Sequence, residues 1–467
     1  MNGTTKPAKA EKVGLKLLFG YGLGEVGCQL SWYMINSYLN IFYTDIVGLS
    51  GAAISAIVLI ARIWDTINDP MMGQIADLTN SRWGKFRPYL MFAPPFLALF
   101  NVLTFTVFPV QGAAKVIICA ICYILAGMAY TACSIAYQAL QNVIAKDSRV
   151  RQILATARST GASVIGIILS LVAMPTILYF SSAFSADGTK VADAHGYFMG
   201  TLLISLLMMP VFWLCAAMCK ETYTEELHKD HVESQGFLDN MKGLVQNDQL
   251  LMVVIATVLG AICVTGRYGI LVYHVNYVVG GPQYIATMFT SMTVGQLVGT
   301  LTVPWGTKLF GKKKYMIIMN IVMAAGFVAL YLYPTNNPVF LIGASFIGSL
   351  GFGAPAICYG MVGDSLEYAD WKLGKRQEGL AASLLSFGVK LATAICAPVV
   401  MLLFAVGYVP NAEQTQAAKN GINFMVNMLP AILALVSCIP LIWYKLDDKR
   451  VSEIRADLEA GKHAWDK

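Results

Sequence analysis

An apolar run at residues 52–76 contains Arg62-Ile-Trp64-Asp65-Thr-Ile-Asn68-Asp69-Pro70. On a helix Asp65, Asn68 and Asp69 stand at i, i+3 and i+4, so all three leave one face. Two carboxylates and an amide oxygen offer hard oxygen ligands to a small cation such as Na⁺, with Asp65 and Asp69 as the metal ligands, or a shared site for H⁺. A plainer reading pairs a carboxylate with Arg62, three residues before Asp65, but one arginine leaves the second acid unneutralised. Two further stripes carry hydroxyls, amides and rings: Glu25, Gln29, Trp32, Tyr33 and Asn36, then Tyr130, Thr131, Ser134, Tyr137 and Gln138. Such a set suits a sugar, whose hydroxyls need hydrogen bonds and whose C–H face stacks on rings; it also suits hydrogen bonding between helices. Arg158, Arg267 and Lys390 lie deep in other apolar runs. They can pair with Asp65 and Asp69 or hold an anionic or hydroxyl-rich ligand. His274 stands alone, either a proton-coupling group or a polar packing residue.

The elements that position these residues follow from composition. Of 467 residues 57% are hydrophobic and only 13% charged, and the mean hydropathy is +0.60. A soluble domain carries about 25% charged residues, so most of this surface faces something other than water. A soluble enzyme, a disordered chain and a nucleic-acid-binding protein are excluded. A bilayer span needs about 20 apolar residues, and twelve segments qualify: 15–43, 52–76, 88–110, 114–140, 152–181, 197–219, 249–279, 284–306, 314–333, 338–363, 379–407 and 421–444. The expected fold is an all-α membrane protein of twelve transmembrane helices. Any Asp or Arg at a span centre costs at least about 2.5–3.5 kcal/mol, so each one named above asks for a function.

Counting Lys16 and Lys314 with their adjoining loops, 26 of the 33 Lys and Arg fall at the termini and in the even-numbered loops; three (Lys115, Lys190, Lys419) fall on the opposite side and four inside spans. Positive charge marks the cytoplasmic side, which predicts both termini in the cytoplasm and a multi-pass protein of the inner (plasma) membrane. The net charge of +6 is then a topology signal. A polar stretch divides the chain into a six-helix half at 1–219, a cytoplasmic middle loop at 220–248, a second six-helix half at 249–444 and a cytoplasmic tail at 445–467. The halves echo one another weakly: Arg151-Gln152 precedes Leu154-Ala155 as Arg376-Gln377 precedes Leu380-Ala381. Two related six-helix halves are the plan of a secondary transporter, with its ligand held between them.

Other chemistry finds little support. Gly22-Leu-Gly24-Glu-Val-Gly27 matches a dinucleotide-binding pattern, but no strand precedes it and no βαβ unit surrounds it; small residues that let helices approach are the better reading. Cys119 and Cys122 form a C-x-x-C inside a span, where buried, inert thiols are expected. No nucleotide-binding signature or nucleophile–base pair occurs, so no enzyme activity and no cofactor are expected.

The chain resembles the glycoside–pentoside–hexuronide:cation symporters (the melibiose permease-like carriers) of the major facilitator superfamily. The stretches that carry the resemblance are Tyr21-Gly-Leu-Gly24, Phe42-Tyr-Thr-Asp45, Ala61-Arg-Ile-Trp-Asp65-Thr-Ile-Asn68-Asp69-Pro70, Ser81-Arg-Trp-Gly-Lys-Phe-Arg87-Pro88, Tyr130-Thr131, Arg151 with Arg158, and Asp364-Ser-Leu-Glu367-Tyr368. It runs from about residue 13 to 445. It implies the superfamily fold and cation-coupled sugar uptake by alternating access, with Na⁺ or H⁺ as coupling ion, a small sugar as substrate, the bilayer as partner and a functional monomer. By the same resemblance Asp65, Asn68, Asp69 and Thr131 form the cation site, and Arg158 and Lys390 line the sugar cavity. Gln29, Trp32, Tyr33, Tyr130, Ser134, Tyr137, Gln138 and Arg267 are the further candidates for substrate. Lys85, Arg87, Lys308, Asp364, Glu367, Asp370 and Arg376 look like a cytoplasmic charged gate. Where galactoside carriers of this family place two acids, this chain has Gln29 and Ser134. The expectation is a pocket without its anionic grip and more positive beside Arg158, Arg267 and Lys390. A hexuronide, a neutral glycoside or pentoside, and a proton-coupled exporter of the same superfamily remain as readings.

Overall fold

The computed structural model describes residues 14–144, 148–184, 188, 190–221, 247–373 and 388–464. The first half holds α1 (Leu15–Ile41), α2 (Gly51–Leu78), α3 (Arg87–Thr104), α4 (Ala113–Ile144), α5 (Ser148–Phe180) and α6 (Ala194–Met218). The second holds α7 (Asp248–His274), α8 (Ile285–Phe310), α9 (Lys312–Leu332), α10 (Pro338–Leu350, then Pro355–Leu373), α11 (Gly388–Ala405) and α12 (Gln416–Trp443), followed by the tail helix α13 (Asp448–Glu459). Of these, α2, α4, α5, α6, α7, α9, α11 and α12 are long and apolar enough to cross a membrane; α1, α3, α8 and α10 are helices that are shorter or more polar.

Side chains facing outward are apolar, as Ile60, Ile63, Ile67, Met71 and Ile75 on α2 and Leu203, Leu206, Leu207 and Leu214 on α6 show. Lipid is as apolar as these side chains, so burial alone does not drive helix association; small residues and polar contacts do. The glycine-rich stretch of the sequence lies mid-helix in α1. A Cβ at Gly24 would meet Tyr137 at 2.2 Å, and one at Gly161 on α5 would meet the Gly22 carbonyl oxygen at 2.6 Å. Polar contacts then lock the halves internally: Asn101 donates to Ser31 (2.8 Å), Tyr137 to the Tyr21 carbonyl (2.8 Å) and Asn320 to Ser437 (3.0 Å).

Helix ends are capped where the chain turns. Ser50 accepts from the Ala53 N–H (3.2 Å), Asp193 from Gly196 (2.8 Å) and Asn247 from Leu250 (3.1 Å), which satisfies N–H groups that lack partners in the first turn. Between α2 and α3 the Glu221 carboxylate accepts from the N–H groups of Lys85, Phe86 and Arg87 at 2.7, 2.8 and 2.9 Å. The turn works only with glycine at 84, whose φ is +111° and whose Cβ would sit 2.5 Å from the Glu221 Cδ.

Across the halves, α5 packs on α8, α2 on α11 and α1 on α7. Exchanging the halves turns the first pair into the second and leaves the third unchanged, which is the two-fold relation that the weak sequence echo implied. The relation extends to detail: α1 and α7 both run on into a π-turn, Phe42–Ile46 and Val275–Val279.

A close backbone approach joins α8 and α10, where a Cβ at Gly299 would lie 2.0 Å from the Leu350 carbonyl oxygen. Gly299→Val should destabilise the second half by about 1–3 kcal/mol through overpacking. A lowered thermal midpoint of the purified protein checks this; an unchanged midpoint would mean that the contact relaxes freely.

Candidate functional site

Asp65 and Asp69, one turn apart on α2, face Gly127 and Thr131, one turn apart on α4. Asp65 accepts from Arg62 at 3.0 Å, and a Cβ at Gly127 would lie 3.4 Å from its Oδ1. Asp69 accepts from the Thr131 hydroxyl at 3.2 Å and is ion-paired to Lys390 on α11. Thus Asp69 joins three helices and both halves. Asn68 is buried beside them with no hydrogen-bond partner for its Nδ2. Arg62 also donates to the Tyr123 hydroxyl (2.8 Å) and lies over the Trp32 ring at 5.1 Å. A cluster of two carboxylates, a hydroxyl and an amide has the donor chemistry of a small-cation site, with the Lys390 ammonium as a built-in counter-charge.

Trp32 connects this cluster to the second one by stacking on Tyr130, ring centroids 4.9 Å apart. On α1, Glu25 accepts from Gln29 at 3.1 Å and from Arg158 on α5 at 2.7 Å. The Arg158 guanidinium lies 5.8 Å from the Tyr137 ring, and its side chain stays 36% exposed. A carboxylate–guanidinium pair, an amide and a stacked indole–phenol pair share this face. They offer hydrogen bonds to hydroxyls and a flat apolar surface beside them.

Several sequence candidates fall elsewhere. Arg267, fully buried, points inside the second half: it donates to the Val426 carbonyl (2.5 Å) and Asn427 Oδ1 (2.6 Å) and lies 4.2 Å from the Phe327 ring. These carbonyl partners lie in the π-turn Phe424–Met428 of α12, so Arg267 braces that turn rather than facing a ligand between the halves. His274 likewise bonds Asn423 (3.2 Å) and Asn427 (3.0 Å), a polar packing role. Tyr33 packs against Phe289 of the other half. Ser134 turns back to the Thr131 carbonyl at 3.4 Å, Tyr137 is tied to α1, and Gln138 is exposed. The expected surplus of positive charge is absent: Glu25 balances Arg158, Asp69 balances Lys390, and Arg267 is not in the cavity. Glu25 lay in the sequence as an acid four residues before Gln29, the spacing that puts both on one face; only its partner across the bundle was invisible.

The two ends of the bundle differ. Asp45, in the π-turn after α1, accepts from the hydroxyls of Tyr277 (2.5 Å), Tyr408 and Thr44 (2.7 Å), and its carbonyl accepts from Asn411 at 2.5 Å. Thr44 bonds Tyr273 (3.0 Å), Asn40 the Gly269 carbonyl (3.0 Å) and Ser170 Thr290 (2.9 Å). All but the Thr44–Asp45 bond cross between the halves and close this end. At the other end the contacts of three charged side chains among the described residues each stay within one half. Arg87 bonds the carbonyls of Ala216 and Trp83, Lys312 holds Asp364 at 2.6 Å, and Arg455 of α13 holds Glu367 at 2.6 Å. The Glu367 hydrogen bond raises the Arg455 guanidinium above its usual range. Lys85 is buried, Lys308 exposed and Asp370 half-buried, while Arg376 lies outside the described residues.

A chain closed at one end, with ligand-suited side chains between its halves, is built like a carrier, and comparison decides which kind. The model of the MFS/sugar transport protein family matches residues 20–448. The chain belongs to this family. Within it, the chain is similar to the isoprimeverose transporter of Lactiplantibacillus pentosus, 32% identical over 96% of this chain and 91% of that one. It is also similar to the glucuronide carrier protein homolog of Escherichia coli K12, 27% identical over 97% of each. Its fold is similar to the crystal structure of a D-xylose-proton symporter, with a TM-score of 0.65 at 13% identity over 93% of this chain and 98% of that one. The glycoside–pentoside–hexuronide symporter resemblance and the superfamily fold are both upheld, and the protein is a multi-pass membrane transporter of the MFS/sugar transport family.

Asp45→Ala removes the acceptor of two hydroxyls from the other half, those of Tyr277 and Tyr408. Each such bond is worth about 0.5–1.5 kcal/mol, so closure at this end should weaken several-fold or more. A cysteine placed at Asn36 should then label faster with an impermeant maleimide added from the Asp45 side. An unchanged rate would show that the closure rests on something else.

Proposed function

We propose that this transporter carries an uncharged glycoside or pentoside together with a cation, Na⁺ or H⁺, by alternating access as a monomer. The Asp364 end and both termini face the cytoplasm, so the closure at Asp45 is the outer gate and the present arrangement is inward-facing. One observation supports the uncharged substrate above the others: three acids of the cavity, Glu25, Asp65 and Asp69, each stand against one cation, Arg158, Arg62 and Lys390. A sugar carboxylate would have to pull a cation away from its partner, and breaking a buried pair is expensive. A neutral sugar asks only for hydrogen bonds and a ring to stack on.

The coupling ion enters through the same balance. Asp69 holds an ammonium in this arrangement, so an arriving cation takes the place of Lys390 and keeps the carboxylate neutralised. Retention of the Asn68 amide and Thr131 hydroxyl beside the acids favours Na⁺, which needs several oxygen ligands, over H⁺, which needs one. The similarity to a glucuronide carrier homolog makes an anionic sugar the second reading.

Two measurements in proteoliposomes test these assignments. Under an imposed Na⁺ or H⁺ gradient, Asp65→Asn and Asp69→Asn should each abolish accumulation of a radiolabelled glycoside while leaving exchange partly intact, because an amide keeps the shape without the charge that balances a cation. Full accumulation by both variants would remove the coupling assignment. Separately, a methyl glucoside should compete better than the corresponding glucuronide; the opposite order would establish the anionic reading.

A further inference from the structure

A sugar hydroxyl both donates and accepts, so a sugar site must offer acceptors as well as donors. Three carboxylates stand among the ligand-suited side chains. Asp65 and Asp69 belong to the cation cluster, where Arg62, Lys390 and Thr131 hold them. The Ser134 hydroxyl turns to a backbone carbonyl, and the Tyr137 hydroxyl is held at Tyr21. Glu25 differs. Its Oε1 takes one hydrogen bond from Gln29 at 3.1 Å and its Oε2 one from Arg158 at 2.7 Å. A carboxylate has about four lone-pair positions, so roughly half its capacity is unspent. The Arg158 bond uses Nε alone, which leaves the guanidinium's terminal nitrogens as donors. The side chains of Glu25 and Arg158 are 10% and 36% exposed, so the carboxylate is held nearly dry while its partner stays accessible. A charged acceptor in such surroundings bonds more strongly than in water.

Resting on the reading of an uncharged sugar as substrate, we propose that Glu25 is the residue that selects it: its carboxylate accepts from one of two neighbouring hydroxyls while Arg158 donates to the other. An acceptor beside a donor matches a vicinal diol, whose hydroxyls can be oriented one to give and one to receive. Gln29 fixes the carboxylate from below on α1, and the Trp32–Tyr130 stack supplies the apolar surface for the adjoining ring face. A ligand lacking one of the two hydroxyls leaves a buried charged group unsatisfied and is rejected; a ligand with a carboxylate at this position meets Glu25 as a like charge.

The test is a cycle between side chain and ligand. Binding to the purified full chain is measured for methyl xylopyranoside and methyl glucopyranoside, their monodeoxy analogues, and methyl glucuronide. Wild type should lose about 10- to 100-fold on one monodeoxy analogue, the size of a hydrogen bond to a charged group. Glu25→Gln should lose a similar factor on the parent sugar and little more on that analogue, with Glu25→Asp partly restoring the difference. Equal losses on parent and analogue would make Glu25 only the counter-ion that positions Arg158, and undiminished binding would remove it from the site; either overturns the proposal and leaves the neutral-sugar reading standing. Should Glu25→Gln fail to fold, Glu25→Asp carries the same comparison, and an undiminished discrimination there counts against the proposal. Binding of the glucuronide and of neither neutral parent would overturn the neutral reading itself and this proposal with it.

Discussion

A charge inside the hydrocarbon layer is costly unless an opposite charge or a set of dipoles answers it, and three ion pairs organise the candidate ligand site of this molecule. The answers come from different helices: Arg62 and Asp65 from α2 alone, Glu25 and Arg158 from α1 and α5, Asp69 and Lys390 from α2 and α11. Only the last pair joins the two halves. Because Asp69 is also bonded to Thr131 on α4, any ligand that competes for its carboxylate acts at once on the register of α2 against α4 and on the attachment of α11. Cation chemistry and domain geometry therefore meet at one side chain, which is the physical requirement for coupling.

Much of this was legible in the sequence. Apolar run lengths gave the helices, and the spacing of Asp65, Asn68 and Asp69 gave their common face. What could not be read was which charges meet. Arg267 and Lys390 look alike along the chain, each a lone cation in an apolar run. One ends on a backbone carbonyl and an amide oxygen of a π-turn in its own half and the other on a carboxylate of the opposite half. Periodicity fixes a residue's face on its own helix, but not the rotation of that helix against its neighbours. The same limit hid the Glu25–Arg158 pair and turned an apparent positive surplus into a balance. Asp45 was visible only as part of a family-like stretch, because its partners lie more than 200 residues away and are tyrosines, which carry no charge signal.

The π-turns show how the repeat is used. The chain widens into a π-turn after α1 and after α7, and Tyr277 of the second turn donates to Asp45 of the first. Extra-wide turns of this kind are rare and concentrate at functional positions. The symmetry is in the backbone and not in the chemistry: one half brings an acid, the other brings hydroxyls. A donor–acceptor contact of that sort closes without the desolvation cost of burying two opposite charges, and it releases hydroxyls that water satisfies readily when the end opens.

Such a closure suits a carrier energetically. The contacts across the Asp45 end are hydrogen bonds worth about 0.5–1.5 kcal/mol each, so together they hold the closed arrangement by a few kcal/mol. A ligand shifts a two-state equilibrium only by its differential affinity for the two states, and a shift from 1:99 to 99:1 takes about 5.5 kcal/mol. A network of buried ion pairs at the same place would lie beyond the reach of a sugar and one cation. A looser apolar contact would leave both ends free to open together and let the cation leak. The graded set of hydroxyl, amide and carbonyl partners around Asp45 falls between these limits, whereas ion pairs stand at the candidate ligand site and at the opposite end of the bundle.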